Sequence, residues 1–168
     1  GGEMSVNLNR AGEASSIALW FWLGETSGAS ERSGELVALS DKERIIARQS
    51  ADHHVSLTSS IDPVARTAQD LRADDWHFAV INRSGGRVTV HVDGAAKPAL
   101  EFTAAPAGLA GKLRFGKGLQ GKLDEVAVFN RALDTSEIAA FWKISGIGKY
   151  HARDAAGRAK AEQANRAK

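Results

Sequence analysis

"GKLDEVAVFNRALDTSEIAAFW" (residues 121–142) decides the fold, because its hydrophobic period changes partway along. Val126 and Val128 alternate with Ala127 and Phe129, which is the two-residue period of a β-strand. Beyond Arg131 the apolar positions fall at Ile138, Phe141 and Trp142, one stripe of a helix with 3.6 residues per turn. Asp134 stands where an N-cap is needed, and Glu137 three residues later completes a capping box. Leu133, ahead of the cap, is placed to staple against Ile138, and Ser145-Gly146 ends the helix. A strand therefore runs straight into a capped helix. The expectation is that this helix covers the open end of a β-sandwich where two sheets splay apart.

Working back towards the N-terminus, the same two-residue period recurs. "WHFAVINRSGGRVTVHVDG" (76–94) is two alternating runs joined by Ser84-Gly85-Gly86-Arg87, whose glycines supply the positive φ of a tight hairpin turn. "SIALWFWL" (16–23) puts Ile17, Leu19, Phe21 and Leu23 on one face and Ala18, Trp20 and Trp22 on the other. Both faces are apolar, so this strand is covered on both sides or lines a groove. "SVNL" (5–8), "LVALS" (36–40), "RIIARQ" (44–49), "HVSLTSS" (54–60), "ALEFTA" (99–104) and "KLRFGK" (112–117) read as further short strands. Residues 24–35 and the Pro/Gly/Ala stretch after residue 104 read as loops. Residues 61–75 read as a loop with a short helical turn. Asp41-Lys42-Glu43 reads as a solvated turn.

The chain has 168 residues, enough for one domain with a sizeable core. Its 43% hydrophobic and 25% charged residues are those of an ordinary globular protein. No apolar run approaches the roughly 18 residues needed to span a bilayer. Cysteine is absent, which removes disulfides, thiolate metal sites and cysteine nucleophiles together. No apolar signal-peptide segment stands at the start, and Gly1-Gly2 ahead of Met4 suggests a domain excised from a larger protein. Residues 149–168 carry six basic residues and two acids, so the net +2 is a tail of +4 on a remainder of −2. That tail has no aromatic after Tyr150 and no apolar stripe. It therefore reads as a linker or frayed helix, not as a nucleic-acid footprint.

The closing stretch resembles the end of laminin-G-like domains of the concanavalin A-like lectin/glucanase superfamily. Gly121, Leu123, Asp124-Glu125-Val126, Asn130-Arg131-Ala132-Leu133 and Glu137-Ile138 stand at the matching places. The Trp76-His77 hairpin ending in Val92-Asp93-Gly94 and the Trp-bearing strand at 16–23 resemble two further motifs of that family, in the right order. The resemblance implies an all-β fold, a two-sheet antiparallel jelly-roll sandwich with a short C-terminal helix, over residues 3–146. Residues 147–168 would then be a basic, Ala-rich tail or linker. It also implies an extracytoplasmic location: secreted, periplasmic or cell-surface. The family commonly opens with a strand pair and an Asp-containing loop, which have no counterpart ahead of Ser5. The expectation is an opening strand missing from this piece or supplied from elsewhere.

The superfamily includes glycoside hydrolases, which need two carboxylates facing each other across the scissile bond. Their Glu-x-Asp-x-x-Glu run is absent, Asp124 and Glu125 alternate faces on a regular strand, and no Gly-x-Ser-x-Gly elbow occurs. The reading is therefore a non-catalytic recognition module that binds a carbohydrate or a protein surface. The alternative is a structural domain that packs against neighbouring domains of its parent chain, and a glucanase-like hydrolase ranks below both. Carbohydrate binding calls for an aromatic platform flanked by polar side chains. Trp20, Trp22, His54, His77 and His91 are the candidate ligand-binding residues. His91 and Thr89 look outward if Val88, Val90 and Val92 point inward, and His77 looks outward by its opposite parity to Trp76 and Phe78. Whether His77 and His91 share a face depends on register. The plain reading of Trp20 and Trp22 is burial under a loop or the C-terminal helix. His53 and His54 diverge on a strand and do not readily share one ion. Ca²⁺, which takes six to eight oxygens, is the one candidate cofactor, with Asp124 as its candidate ligand; Asp74-Asp75 is a separate source of oxygens whose plain reading is a loop-to-strand turn. The plain reading of Asp124 is a hydrogen bond that pins a loop.

Overall fold

A computed structural model describes residues 2–8, 14–24, 32–62, 67, 71–104 and 111–167. Among the described residues eleven strands and two helices follow in chain order. They are β1 (Met4–Asn7), β2 (Ala14–Leu23), β3 (Arg32–Ala38), β4 (Arg44–Gln49), β5 (His54–Ser59), β6 (Leu71–Arg72), β7 (His77–Ser84), β8 (Arg87–Val92), β9 (Leu100–Thr103), β10 (Lys112–Phe115), β11 (Gly121–Phe129), α1 (Thr135–Ser145) and α2 (Ile147–Arg166). The strands form two sheets, ordered β1-β10-β3-β4-β5-β6 and β11-β2-β7-β8-β9, and all their pairings are antiparallel. The fold is the expected all-β sandwich with a C-terminal helical region.

Two alternating apolar faces close the core. Ile17, Leu19, Phe21 and Leu23 of β2 meet Val88, Val90 and Val92 of β8 on the inner side of the five-stranded sheet. Leu36, Ile45, Val55, Leu57 and Leu113 oppose them from the six-stranded sheet. Each such side chain contributes about 1.5–3 kcal/mol on full burial.

The strand β11 keeps its inward face only by a bulge. Asp124 pairs with Trp20 and Ala127 with Ala18, so one extra residue is accommodated between them. Glu125 sits there at φ 47°. The bulge lets Leu123 and Val126 both pack against the core, which strict alternation would forbid. At the start of β11, a methyl group on Gly121 would run into the carbonyl of Trp22, so the chains close up there only because the residue is glycine.

The helix α1 does not plug the splayed end of the sandwich. It lies on the outer face of the five-stranded sheet, where Leu133 and Ile138 are buried with Ala18, Trp20, Phe78 and Val80. The Asn-Arg-Ala-Leu turn is tied down by polar bonds from that face. Leu133 N–H donates to Ser16 Oγ at 2.8 Å, Asn82 Nδ2 donates to the Leu133 carbonyl at 2.8 Å, and Ser16 Oγ donates to the Arg131 carbonyl at 2.6 Å. The capping box is present as read, with Asp134 Oδ1 accepting from Glu137 N–H at 2.8 Å and Glu137 Oε2 from Asp134 N–H at 2.9 Å.

Other segments differ in detail from their sequence reading. The strand β3 starts at Arg32, inside the stretch read as loop, while residues 25–31 lie outside the described residues. Of the turn read as solvated, Asp41 and Lys42 are exposed, but Glu43 is buried and its Oε1 accepts from Arg83 Nη1 at 2.6 Å. Arg83 lies on the inner face of β7, where a bare guanidinium has no water, so a carboxylate must reach it. The tail forms one helix, α2, over 20 residues, none of them buried. Of residues 61–75, Leu71–Arg72 form β6, and the expected helical turn falls largely on 63–66 and 68–70, outside the described residues.

Candidate functional site

Register settles which sequence candidates meet. Trp22 pairs with Lys122 and Trp20 with Asp124 across β2 and β11, on the outer face of the five-stranded sheet. Trp22 and Asp124 are therefore diagonal neighbours, within reach of one ligand. Trp22 is half-buried, Lys122 and Asp124 are exposed, and Lys122 Nζ stands 5.2 Å from the Trp22 ring centroid. Asp124 Oδ1 accepts from Glu125 N–H at 2.8 Å, which steadies the bulge, and among the described residues the second oxygen has no hydrogen-bond partner. One apolar ring, one cation and one carboxylate thus share a solvent-facing strip.

Trp20 does not extend that strip. It is 6% exposed, with Phe78 at 4.9 Å and Trp142 at 5.7 Å between ring centroids. His91 has the outward parity expected, opposite Val80, yet it is buried, its Nδ1 bonded to the Ala95 carbonyl at 3.0 Å. His77 faces inward, opposite Phe21, and is 3% exposed. His77 and His91 therefore occupy opposite faces. The parity argument fails because α1 covers the outer face as well, so Phe78 is buried outside the sandwich and His77 inside it. His54 is half-exposed on β5 of the other sheet, with Nε2 3.9 Å from Asp52.

Below the strip, along the other edge of β11, a groove of about 630 Å³ opens between the two sheets. Met4, Val6, Phe115, Leu123, Val126 and Val128 line it, with Asp124 and Glu125 among its polar residues. Among the described residues β11 pairs only with β2 and β1 only with β10, so both strands bordering the groove are sheet edges.

A second polar cluster lies at the junction of β7, the turn after β8, and α2. His77 Nδ1 is 2.8 Å from Asp93 Oδ2, and its Nε2 is 2.7 Å from the Arg72 carbonyl. Both partners are acceptors, so an uncomplexed His77 must carry two protons. Burial alone would depress its pKa. The Asp93 hydrogen bond and charge, the Arg72 carbonyl and the charge of Asp75 together outweigh that and hold it above the ordinary histidine value. Asp93 Oδ1 accepts from Phe78 N–H at 3.0 Å. His151 of α2 comes down beside this pair, its ring 5.4 Å from His77 and its Nε2 2.6 Å from the Trp76 carbonyl. One ligand atom from each of His77, Asp93 and His151 lies within 4.8 Å of the others, a cluster capable of coordinating a metal ion. The donor set is two nitrogens and one oxygen, which does not point to Ca²⁺.

Sequence reasoning missed Lys122, Asp93 and His151. The first needs the β2–β11 register. Asp93 carried a signal, since Asp-Gly after an alternating run marks a turn whose carboxylate can bond back to the hairpin. His151 carried none, because its helix has no apolar stripe to mark the docked side.

The comparisons agree with this architecture. A comparison with curated proteins finds no match. Solved structures similar to the chain include a native heptameric SAP-like pentraxin from Limulus polyphemus, with 12% identity and a TM-score of 0.56 over 76% of this chain and 68% of that one. They include the binding domain of botulinum neurotoxin DC in complex with SialylT, with 12% identity and a TM-score of 0.53 over 84% of this chain and 39% of that one. They also include a mutant of Trypanosoma rangeli sialidase displaying trans-sialidase activity, with 14% identity and a TM-score of 0.58 over 80% of this chain and 23% of that one. The chain spans less than half the length of the toxin and sialidase chains, and at these identities the likeness is one of fold. The laminin-G family model, by contrast, matches the sequence itself over residues 3–139. On that match, which takes in most of the chain, the protein belongs to the concanavalin A-like lectin/glucanases superfamily.

Proposed function

We propose that this domain is a non-catalytic recognition module of a larger extracytoplasmic protein, and that it binds a saccharide at the Trp22–Lys122–Asp124 strip. The observation that carries the reading is the register that sets a half-buried indole beside an exposed lysine and an exposed carboxylate. The indole face suits the C–H side of a sugar ring, and the flanking charges suit its hydroxyls. The lectin family and the SialylT complex of the toxin binding domain favour the same ligand class. Ca²⁺ recruited by such a ligand would sit at Asp124 and Glu125, with water and sugar hydroxyls supplying most of its oxygens. In this reading residues 3–146 are the recognition domain and 147–168 the arm that leads to neighbouring domains.

The groove beside β11 favours a second ligand class, an extended protein segment. Its walls are apolar, its borders are sheet edges, and a segment added to β11 would satisfy that strand's outward backbone groups. The acids at its polar rim suit a segment that carries a basic residue.

A glycan array probed with and without Ca²⁺ separates the two. The saccharide reading expects signals that Trp22→Ala abolishes while thermal unfolding stays unchanged. An array with no signal in either condition removes that reading and leaves the groove.

A further inference from the structure

We propose that His77, Asp93 and His151 form a site for a borderline divalent cation, Zn²⁺, and that the cation staples α2 onto the sandwich. Three observations converge on it. First, the ligand atoms are already gathered, one from each residue within 4.8 Å of the others. Second, one polar atom of each residue is already held by the backbone. His77 Nε2 is fixed by the Arg72 carbonyl, His151 Nε2 by the Trp76 carbonyl, and Asp93 Oδ1 by Phe78 N–H. A carbonyl accepts only, so each Nε2 carries its proton and a metal would take Nδ1 of each ring, at His77 in place of the proton shared with Asp93. That is the outer-shell arrangement which orients metal-binding imidazoles. Third, among the described residues α2 is only lightly attached, with Ile147 at its start partly buried against the Trp20 cluster and His151 in ring contact with Trp142. None of its residues is buried, and besides His151 its polar ties to the sandwich run from Arg158 to Asp75 at 3.4 Å and to Asp74 at 4.0 Å.

The fit is close. Two tetrahedral zinc ligands stand roughly 3.3 Å apart, so His77 Nδ1 and Asp93 Oδ2, now 2.8 Å apart, need only open by about half an ångström. The ion would displace the proton shared by that pair and draw His151 inward. A cavity of about 370 Å³ lined by His77, Asp93, His151 and Glu162 leaves room for a water as fourth ligand. Two imidazoles and a single carboxylate select zinc or its neighbours over Ca²⁺ and Mg²⁺.

The test is calorimetric titration of the metal-free full chain with ZnCl₂, together with hydrogen exchange along α2. The expected result is one equivalent of Zn²⁺ per chain, no comparable binding of CaCl₂ or MgCl₂, and slowed exchange over residues 147–158. His151→Ala, on a half-buried helical position, should weaken binding at least tenfold and remove the protection of α2. Asp93→Asn, which keeps an acceptor for Phe78 N–H, should weaken binding likewise. His54→Ala, on the other sheet, should leave it unchanged. Absence of zinc binding to the parent chain overturns the site. So does binding that survives His151→Ala or is lost in His54→Ala, and binding without protection of α2 overturns the staple.

Discussion

Trp142 of α1 lies over Trp20 of β2, with ring centroids 5.7 Å apart and planes 24° from parallel. This stack makes the outer face of the five-stranded sheet a second core and decides which tryptophans remain open to solvent. Trp142 also rests on Gly94, where a methyl group would come within 2.7–2.8 Å of it, and Gly94 is held at φ 75°. Trp142→Ala should therefore destabilise the domain by about 2 kcal/mol, below the range for a fully buried tryptophan because the ring is half-buried. It should also shift the intrinsic fluorescence to the red as Trp20 meets water. Gly94→Ala should destabilise by more than about 1 kcal/mol, through both the contact and the left-handed backbone. Denaturant titration with fluorescence detection checks both.

Arg83 and Glu43 should behave as a unit. Removing the carboxylate by Glu43→Ala takes the Glu43 ion pair away from a guanidinium that is 2% exposed and should cost about 3–5 kcal/mol. Replacing both, Glu43→Leu with Arg83→Met, should recover most of that loss, since apolar side chains of similar volume suit the site. Urea unfolding of the two single variants and the double variant measures the coupling; equal losses in all three would contradict it.

The start of α1 should be sensitive to acid. The bidentate hydrogen bonds from Arg131, at 2.5 and 2.8 Å, together with the Asp134 N–H, lower Glu137 from 4.5 to about 2. A carboxylate with a depressed folded pKa stabilises the native state above its unfolded value. Its contribution should be complete above about pH 4.5 and fade as pH falls towards 2. Thermal unfolding of the parent chain should lose ground against Glu137→Gln across that window and no other. Asp134→Ala, which removes the cap itself, should cost about 1 kcal/mol.

Much of the fold was legible because a two-residue period is a local property. The hairpin at 76–94 and the strand-to-helix change at 130–134 could be read without knowing what they touch. What stayed hidden depends on pairing or on cover. The extra residue at Glu125 changes which side chains of β11 face the core, and nothing in the alternation of Val126 and Val128 announces it. Both faces of β7 are buried, one by the second sheet and one by α1, so parity separated His77 from Phe78 without saying which was inside. Glu43 looked solvated because its partner, Arg83, lies 40 residues away. For the candidate site, Trp22 and Asp124 were each visible as residue types, but only the β2–β11 register made them neighbours.

The most direct measurement is an indole N–H spectrum of the four tryptophans, assigned by single Trp→Phe variants and recorded during titration with a saccharide. The account predicts that the Trp22 resonance moves with saturation while Trp20, sealed beneath Trp142, holds its position. A titration that saturates with Trp22 unmoved, or that moves Trp20 and Trp142 in its place, would contradict the account.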